Sequence, residues 1–170
     1  MANGVRPTIF YYNPNITDRD EYDKRIAELH RLVDAINEEY GSSEEFTSPV
    51  KVIDGDYKPE LFLDKVSKGA LETCPEGGKR CSMCFGLRLK KTYDVAAKNG
   101  YDYFSTTLTI SPLKDAALIN DIGYGLAKDV FWLPSDFKKN DGYKKSIELS
   151  RKYDLYRQNY CGCDFSKRAE

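Results

Sequence analysis

The chain has 170 residues, enough for one domain with its own core, and its 26 basic and 27 acidic side chains leave a formal net charge of -1. That balance excludes a globally basic nucleic-acid binder, and 41% hydrophobic against 31% charged residues excludes a disordered chain. No apolar run approaches the roughly 20 residues of a membrane helix, and the opening MANGVRPTIF carries no signal-type stretch, so a cytoplasmic protein with no membrane partner is expected.

Thr8 to Tyr12 (TIFYY) is a β-branched and aromatic run stopped by Asn13-Pro14-Asn15, a strand entering a turn. Thr17 or Asp18 then caps a helix whose apolar positions Tyr22, Ile26, Leu29, Val33 and Ile36 recur at helical spacing up to Tyr40, with Gly41 as the stop. The alternation repeats. Pro49 to Ile53 predicts a strand, and Pro59 opens a short helix through Leu61, Phe62 and Val66. Lys68 to Lys79 is a polar, Gly-rich loop before a longer helix from about Cys81 to Asn99, closed by Gly100. Tyr101 to Thr109 alternates as a strand, Lys114 to Lys128 is helical despite Gly123 and Gly125, Val130 to Leu133 is a further strand, and Tyr143 to Tyr153 a last helix before an irregular tail.

Strands alternating with helices define βαβ units. One α/β domain over residues 1–170 is expected, a mostly parallel, Rossmann-like sheet with helices on both faces. Ligands of such sheets lie beyond the carboxyl ends of the strands, which singles out the loops Asn13 to Ile16, Thr106 to Leu113 and Pro134 to Lys138. The neutral total charge also divides along the chain. Residues 16–60 carry 6 basic and 13 acidic side chains, residues 79–98 carry 6 and 1, and residues 138–170 carry 9 and 5. Two basic segments thus accompany every cysteine but Cys74, a local field that attracts phosphate or RNA, or simply a solvated helix face.

Four of the five cysteines fall in two tight pairs, Cys81 with Cys84 and Cys161 with Cys163. In a chain without an export signal such pairs point to metal or redox chemistry before structural disulfides. Cys81 and Cys84 share one face of the first helical turns, where the helix dipole favours thiolate, reinforced by Arg80 and Arg88; the plainer reading is two buried thiols. Cys161-Gly162-Cys163 fits a strained, labile disulfide, two further metal ligands, or an inert tail, the last disfavoured by Arg157, Gln158 and Tyr160 crowded alongside. His30 is the only histidine and reads as a surface residue, which removes Ser-His and Cys-His hydrolysis. A base-stacking role for Tyr12, Tyr156 or Tyr160 is not separable from packing. No phosphate-binding glycine loop occurs, so a nucleotide cofactor is unsupported.

FYYNPNI (Phe10 to Ile16), PEGGKRCSMCFGLRL (Pro75 to Leu89), YDYFSTTLTISPLK (Tyr101 to Lys114), SDFKKNDGYKKSIELS (Ser135 to Ser150) and YDLYRQNYCGCDFSKR (Tyr153 to Arg168) together resemble the QueH-type epoxyqueuosine reductases over nearly the whole chain. That resemblance implies reduction of epoxyqueuosine to queuosine at the wobble position of tRNA. It implies a 4Fe-4S cluster with Cys81 and Cys84 as two of four ligands, an additional iron beside it, and Cys161 and Cys163 as a redox-active disulfide. Its implied partners are the tRNA anticodon arm and an unidentified electron donor, with Asn13, Asn15, Arg80, Thr106, Ser111, Arg157, Gln158 and Tyr160 as candidate substrate-binding residues. One departure stands out. The family carries an adjacent Cys-Cys pair in a loop after its first strand, and no Cys-Cys occurs in this sequence. The expectation is a reductase whose first strand and cysteine loop are missing from the recorded N-terminus, with Cys74 a poor substitute ligand. A non-catalytic remnant keeping tRNA or metal binding is the alternative, and a simple thiol or metal module a third reading.

Overall fold

Asp18 begins the first helix as its spacing predicts: its Oδ1 accepts hydrogen bonds from the backbone N–H groups of Asp20 and Glu21 at 2.9 and 3.2 Å. The computed structural model describes residues 5–42 and 48–167. In chain order these form β1 (Thr8–Tyr11), α1 (Arg19–Tyr40), β2 (Lys51–Asp54), α2 (Glu60–Lys68), α3 (Lys79–Lys98), β3 (Tyr103–Phe104), a 3-10 turn (Leu108–Ile110), α4 (Ala116–Leu126), β4 (Phe131–Trp132), α5 (Gly142–Lys152) and a final 3-10 turn (Asp164–Ser166). Every element expected from periodicity exists, and the class is α/β.

The sheet differs from the expectation. Both strand pairings are parallel, but among the described residues they form two separate two-stranded ladders, β1 with β2 and β3 with β4, in place of one continuous sheet. The third strand is also far shorter than Tyr101 to Thr109. After Phe104 the chain curls, because Thr106 Oγ1 accepts the Leu108 N–H at 3.2 Å and the wholly buried Thr109 hydroxyl pairs with Ser135 Oγ at 2.9 Å. A local hydroxyl-to-backbone bond at Thr106 and a hydroxyl pair made across the fold at Thr109 here outcompete a strand that β-propensity alone would extend. The fourth helix starts after Asp115, whose carboxylate caps the Ala117 and Leu118 N–H groups.

Three apolar clusters hold the chain together. The largest joins α3, α4, β3 and β4 through Phe85, Leu89, Tyr93, Phe104, Ile119 and Trp132, with Phe104 edge-on to Trp132 at 5.0 Å between ring centres. Tyr11, Ile16 and Tyr22 form a second under α1. Phe62 and Val66 of α2 form the third with Cys84 and Cys163, so one cysteine from each pair, 79 positions apart in sequence, meets the other in one core.

The tail that carries Cys161 and Cys163 is held by α1. Arg31 donates to the Tyr153 and Asp154 carbonyls, Glu28 accepts the Tyr156 N–H at 2.8 Å, and Arg25 donates to the Tyr160 carbonyl at 3.1 Å. The acidic first helix is therefore a clamp for the otherwise irregular C-terminal segment.

Candidate functional site

Four thiols line one cleft. Cys81 and Cys84 enter it from the first turns of α3, with Arg80, Phe85 and Arg88 of the same helix; Asn15 comes from the loop after β1, Phe62 from α2, Lys114 from the turn before α4, and Cys161, Cys163 and Ser166 from the tail. The i, i+3 spacing puts Cys81 and Cys84 on one helix face, as expected. All five cysteines are free thiols.

Their environments separate them. Burial pushes the Cys84 thiol up to about 11, more than the nearby Arg88 cation pulls it down. The expectation that the helix start would make this residue a thiolate is corrected: the low-dielectric interior outweighs the dipole. Arg80 gives little help, since its guanidinium is spent on the backbone carbonyls of Leu71, Glu72, Cys74 and Phe165.

Cys161 behaves in the opposite way. Its thiol is held well below the ordinary value, chiefly by a hydrogen bond from the Cys163 S–H, then by Ser166 Oγ at 3.0 Å and the positive charge of Lys114; burial opposes all three. Cys163 is correspondingly pushed up, first by that same hydrogen bond to Cys161 and then by burial. The two thiols are thus shifted in opposite directions, Cys161 toward the thiolate and Cys163 toward the protonated form. Gly162 between them has φ +93, a conformation that glycine alone adopts without strain.

Lys114 and Ser166 were not legible as site residues, because nothing in their sequence spacing ties them to the cysteines. Lys114 has only 9% of its side chain exposed and donates to Glu76 Oε1 at 3.0 Å. Its pKa is raised: burial works against the charge, but Cys161, Glu76 and Cys81 together outweigh it.

The other candidates divide. Asn13 lies beside the cleft, its Oδ1 accepting from Arg88 Nη2 at 2.5 Å. Asn15 is in the wall, 2% exposed, and its Nδ2 donates to the Cys161 carbonyl at 2.8 Å. Arg80 is equally buried and ties loop to tail. Thr106 and Ser111 lie outside the lining, where their hydroxyls accept the N–H groups of Leu108 and Leu113 in local turns. Arg157 is exposed and bound to Ser146 and Ser150 of α5, Gln158 is exposed, and the Tyr160 ring lies under the Arg25 guanidinium at 5.3 Å. His30 is at the surface as expected, 2.9 Å from the Asp54 carboxylate. Cys74 is outside the lining.

Among the described residues no three His, Cys, Asp or Glu side chains come together as a set that could hold a metal ion. Cys81 and Cys84 stand as a pair, so these residues by themselves do not complete a four-ligand iron–sulfur site. Among the described residues no helix is long and apolar enough to cross a membrane.

An α/β protein with a Cys-Gly-Cys pair and a helical Cys-x-x-Cys pair in one cleft is the class that fold and site define. Comparison with known proteins narrows it. The family model described as epoxyqueuosine reductase QueH matches residues 1–169. Proteins named epoxyqueuosine reductase QueH from Streptococcus pyogenes and Staphylococcus epidermidis are each 41% identical, over 165 and 160 residues that cover 96% and 93% of this chain. One from Haemophilus influenzae is 36% identical over 171 residues, 99% of this chain. The chain belongs to the epoxyqueuosine reductase QueH family. It spans 62%, 65% and 64% of the length of those three relatives.

Proposed function

We propose that this chain reduces epoxyqueuosine to queuosine in the anticodon arm of tRNA, with Cys161 and Cys163 as the two-electron donor. The observation that carries this is the polarised pair itself: a Cys161 thiolate held by Cys163, Ser166 and Lys114 in the same cleft as Cys81 and Cys84. The stoichiometry closes on the dithiol. Two thiols become one disulfide and release two electrons and two protons; the epoxide loses both C–O bonds, its oxygen leaves as water, and a carbon–carbon double bond forms. An external electron donor then restores the thiols.

Cys81 and Cys84 are proposed as two ligands of a 4Fe-4S cluster, which when bound supplies electron transfer beside the dithiol. The resemblance supports that reading for these two residues, while among the described residues no third ligand joins them. The basic segments around α3 and α5 support contact with the tRNA backbone. A tRNA substrate implies a cytoplasmic protein.

The test is a single turnover: pre-reduced chain mixed anaerobically with an anticodon stem-loop bearing epoxyqueuosine, and the nucleoside analysed by mass. About one oxygen lost per chain, and none with Cys161→Ser or Cys163→Ser, is the result expected. Binding of the stem-loop with no product favours the non-catalytic reading, for which the incomplete ligand set speaks. Anaerobic reconstitution reads the cluster separately: about four irons per chain with broad visible absorbance supports it, and colourless iron-free protein removes it for this chain.

A further inference from the structure

The wall of the thiol cleft holds an unpaired polar atom. Asn15 is 2% exposed, its Nδ2 is committed to the Cys161 carbonyl, and its Oδ1 is buried with no hydrogen-bond partner. Buried carbonyl oxygens are rarely left so, because an unmade hydrogen bond in the interior costs more than a made one gains. Lys114 faces the same cleft with the complementary surplus: of three ammonium hydrogens one goes to Glu76, and 9% of the side chain is exposed. The two come from distant parts of the chain, the loop after β1 and the turn before α4, and both line the thiol cleft.

We propose that Asn15 and Lys114 form an oxygen-recognition subsite of the thiol cleft, taking a ligand with an ether or epoxide oxygen next to a hydroxyl. An epoxide oxygen accepts hydrogen bonds and donates none, so it pairs with Lys114 Nζ. A hydroxyl on the same ligand donates to Asn15 Oδ1, the acceptor that has nothing else to bind. The subsite orients the oxygen to be removed toward Cys161, whose backbone Asn15 already holds. It rests on the reductase reading above and deepens it: specificity for the oxygenated nucleoside comes from these two side chains, while the basic surface supplies affinity for any tRNA arm.

The experiment compares binding of two anticodon stem-loops, one with epoxyqueuosine and one with guanosine at the wobble position, to the full chain and to Lys114→Met, Lys114→Arg and Asn15→Leu. Methionine keeps the length and apolar packing of the lysine stem, and leucine the bulk of asparagine. The wild-type chain should prefer the epoxyqueuosine stem-loop. Lys114→Met and Asn15→Leu should each lose about tenfold or more of that preference, with binding of the guanosine stem-loop unchanged, and Lys114→Arg should keep most of it. If the wild type discriminates and Lys114→Met does so equally, the subsite is wrong and the reductase reading stands. If both stem-loops weaken in parallel, Lys114 is only a phosphate contact and the subsite is again wrong. If the wild type binds the two alike and turns over neither, the reductase reading falls and takes the subsite with it.

Discussion

The side-chain amide of Asn15 donates to the backbone carbonyl of Cys161 at 2.8 Å, a hydrogen bond that closes 146 residues of chain. It makes the loop after the first strand a support for the dithiol at the other end of the sequence. Any change that loosens β1, the tail or the α1 clamp is thereby transmitted to the Cys161 backbone.

The dithiol should show its asymmetry in pH dependence. Since the Cys161 thiol lies below its ordinary value near 9, its alkylation by iodoacetamide should persist as pH falls below 9 and decline only as pH drops through the depressed pKa. Cys163→Ala removes the main stabilising donor and should move the midpoint of that profile upward by about one unit or more. Mass-resolved alkylation of Cys161 against pH checks this; an unmoved midpoint means the donor is not Cys163.

Arg80 should be indispensable to the tail. It is 2% exposed and its guanidinium holds four backbone carbonyls, from Leu71, Glu72, Cys74 and Phe165, while lying 5.1 Å from the Phe165 ring centre. Arg80→Met leaves those carbonyls unpaired in the interior and should cost about 3 kcal/mol or more in urea unfolding. Arg80→Lys should recover little, since a single ammonium cannot span the same set.

At Gly162 a side chain has no room. An added Cβ would stand 2.5 Å from Ile16 Cγ1, and Ile16 is 1% exposed, so it cannot move aside. With the positive φ in addition, Gly162→Ala should destabilise the chain by about 1–3 kcal/mol. Thermal unfolding measures the cost, and thiol titration should show Cys161 alkylating with a changed profile because its partner has shifted.

Gly123→Ala tests the largest core. Helix propensity alone favours alanine by about 1 kcal/mol. Against that, the new Cβ would sit 2.3 Å from two atoms of the Trp132 ring, which is pinned by an indole hydrogen bond to Asn120 Oδ1 at 3.1 Å. The clash should win, giving a net loss of about 1–3 kcal/mol and a changed tryptophan fluorescence. A gain in stability would show that the indole relaxes freely.

Local pattern alone determined much of this protein. Apolar spacing from Tyr22 to Ile36 and the Asp18 cap specify α1, the TIFYY run specifies β1, and Cys81 and Cys84 at i, i+3 share a helix face, because periods of 2 and 3.6 and the capping of free N–H groups are properties of neighbouring residues. What those rules could not reach is anything that depends on which segments meet. The break of the sheet into two ladders, the curl that ends β3 at Phe104 and the arrival of Lys114, Ser166 and Asn15 around Cys161 come from contacts made across the fold. The same holds for thiol chemistry: the helix start argued for a thiolate at Cys84, but ionisation follows solvent exposure and nearby donors. Only the tertiary structure buries Cys84, which keeps its proton, and gives Cys161 the hydrogen bonds and cation that remove one.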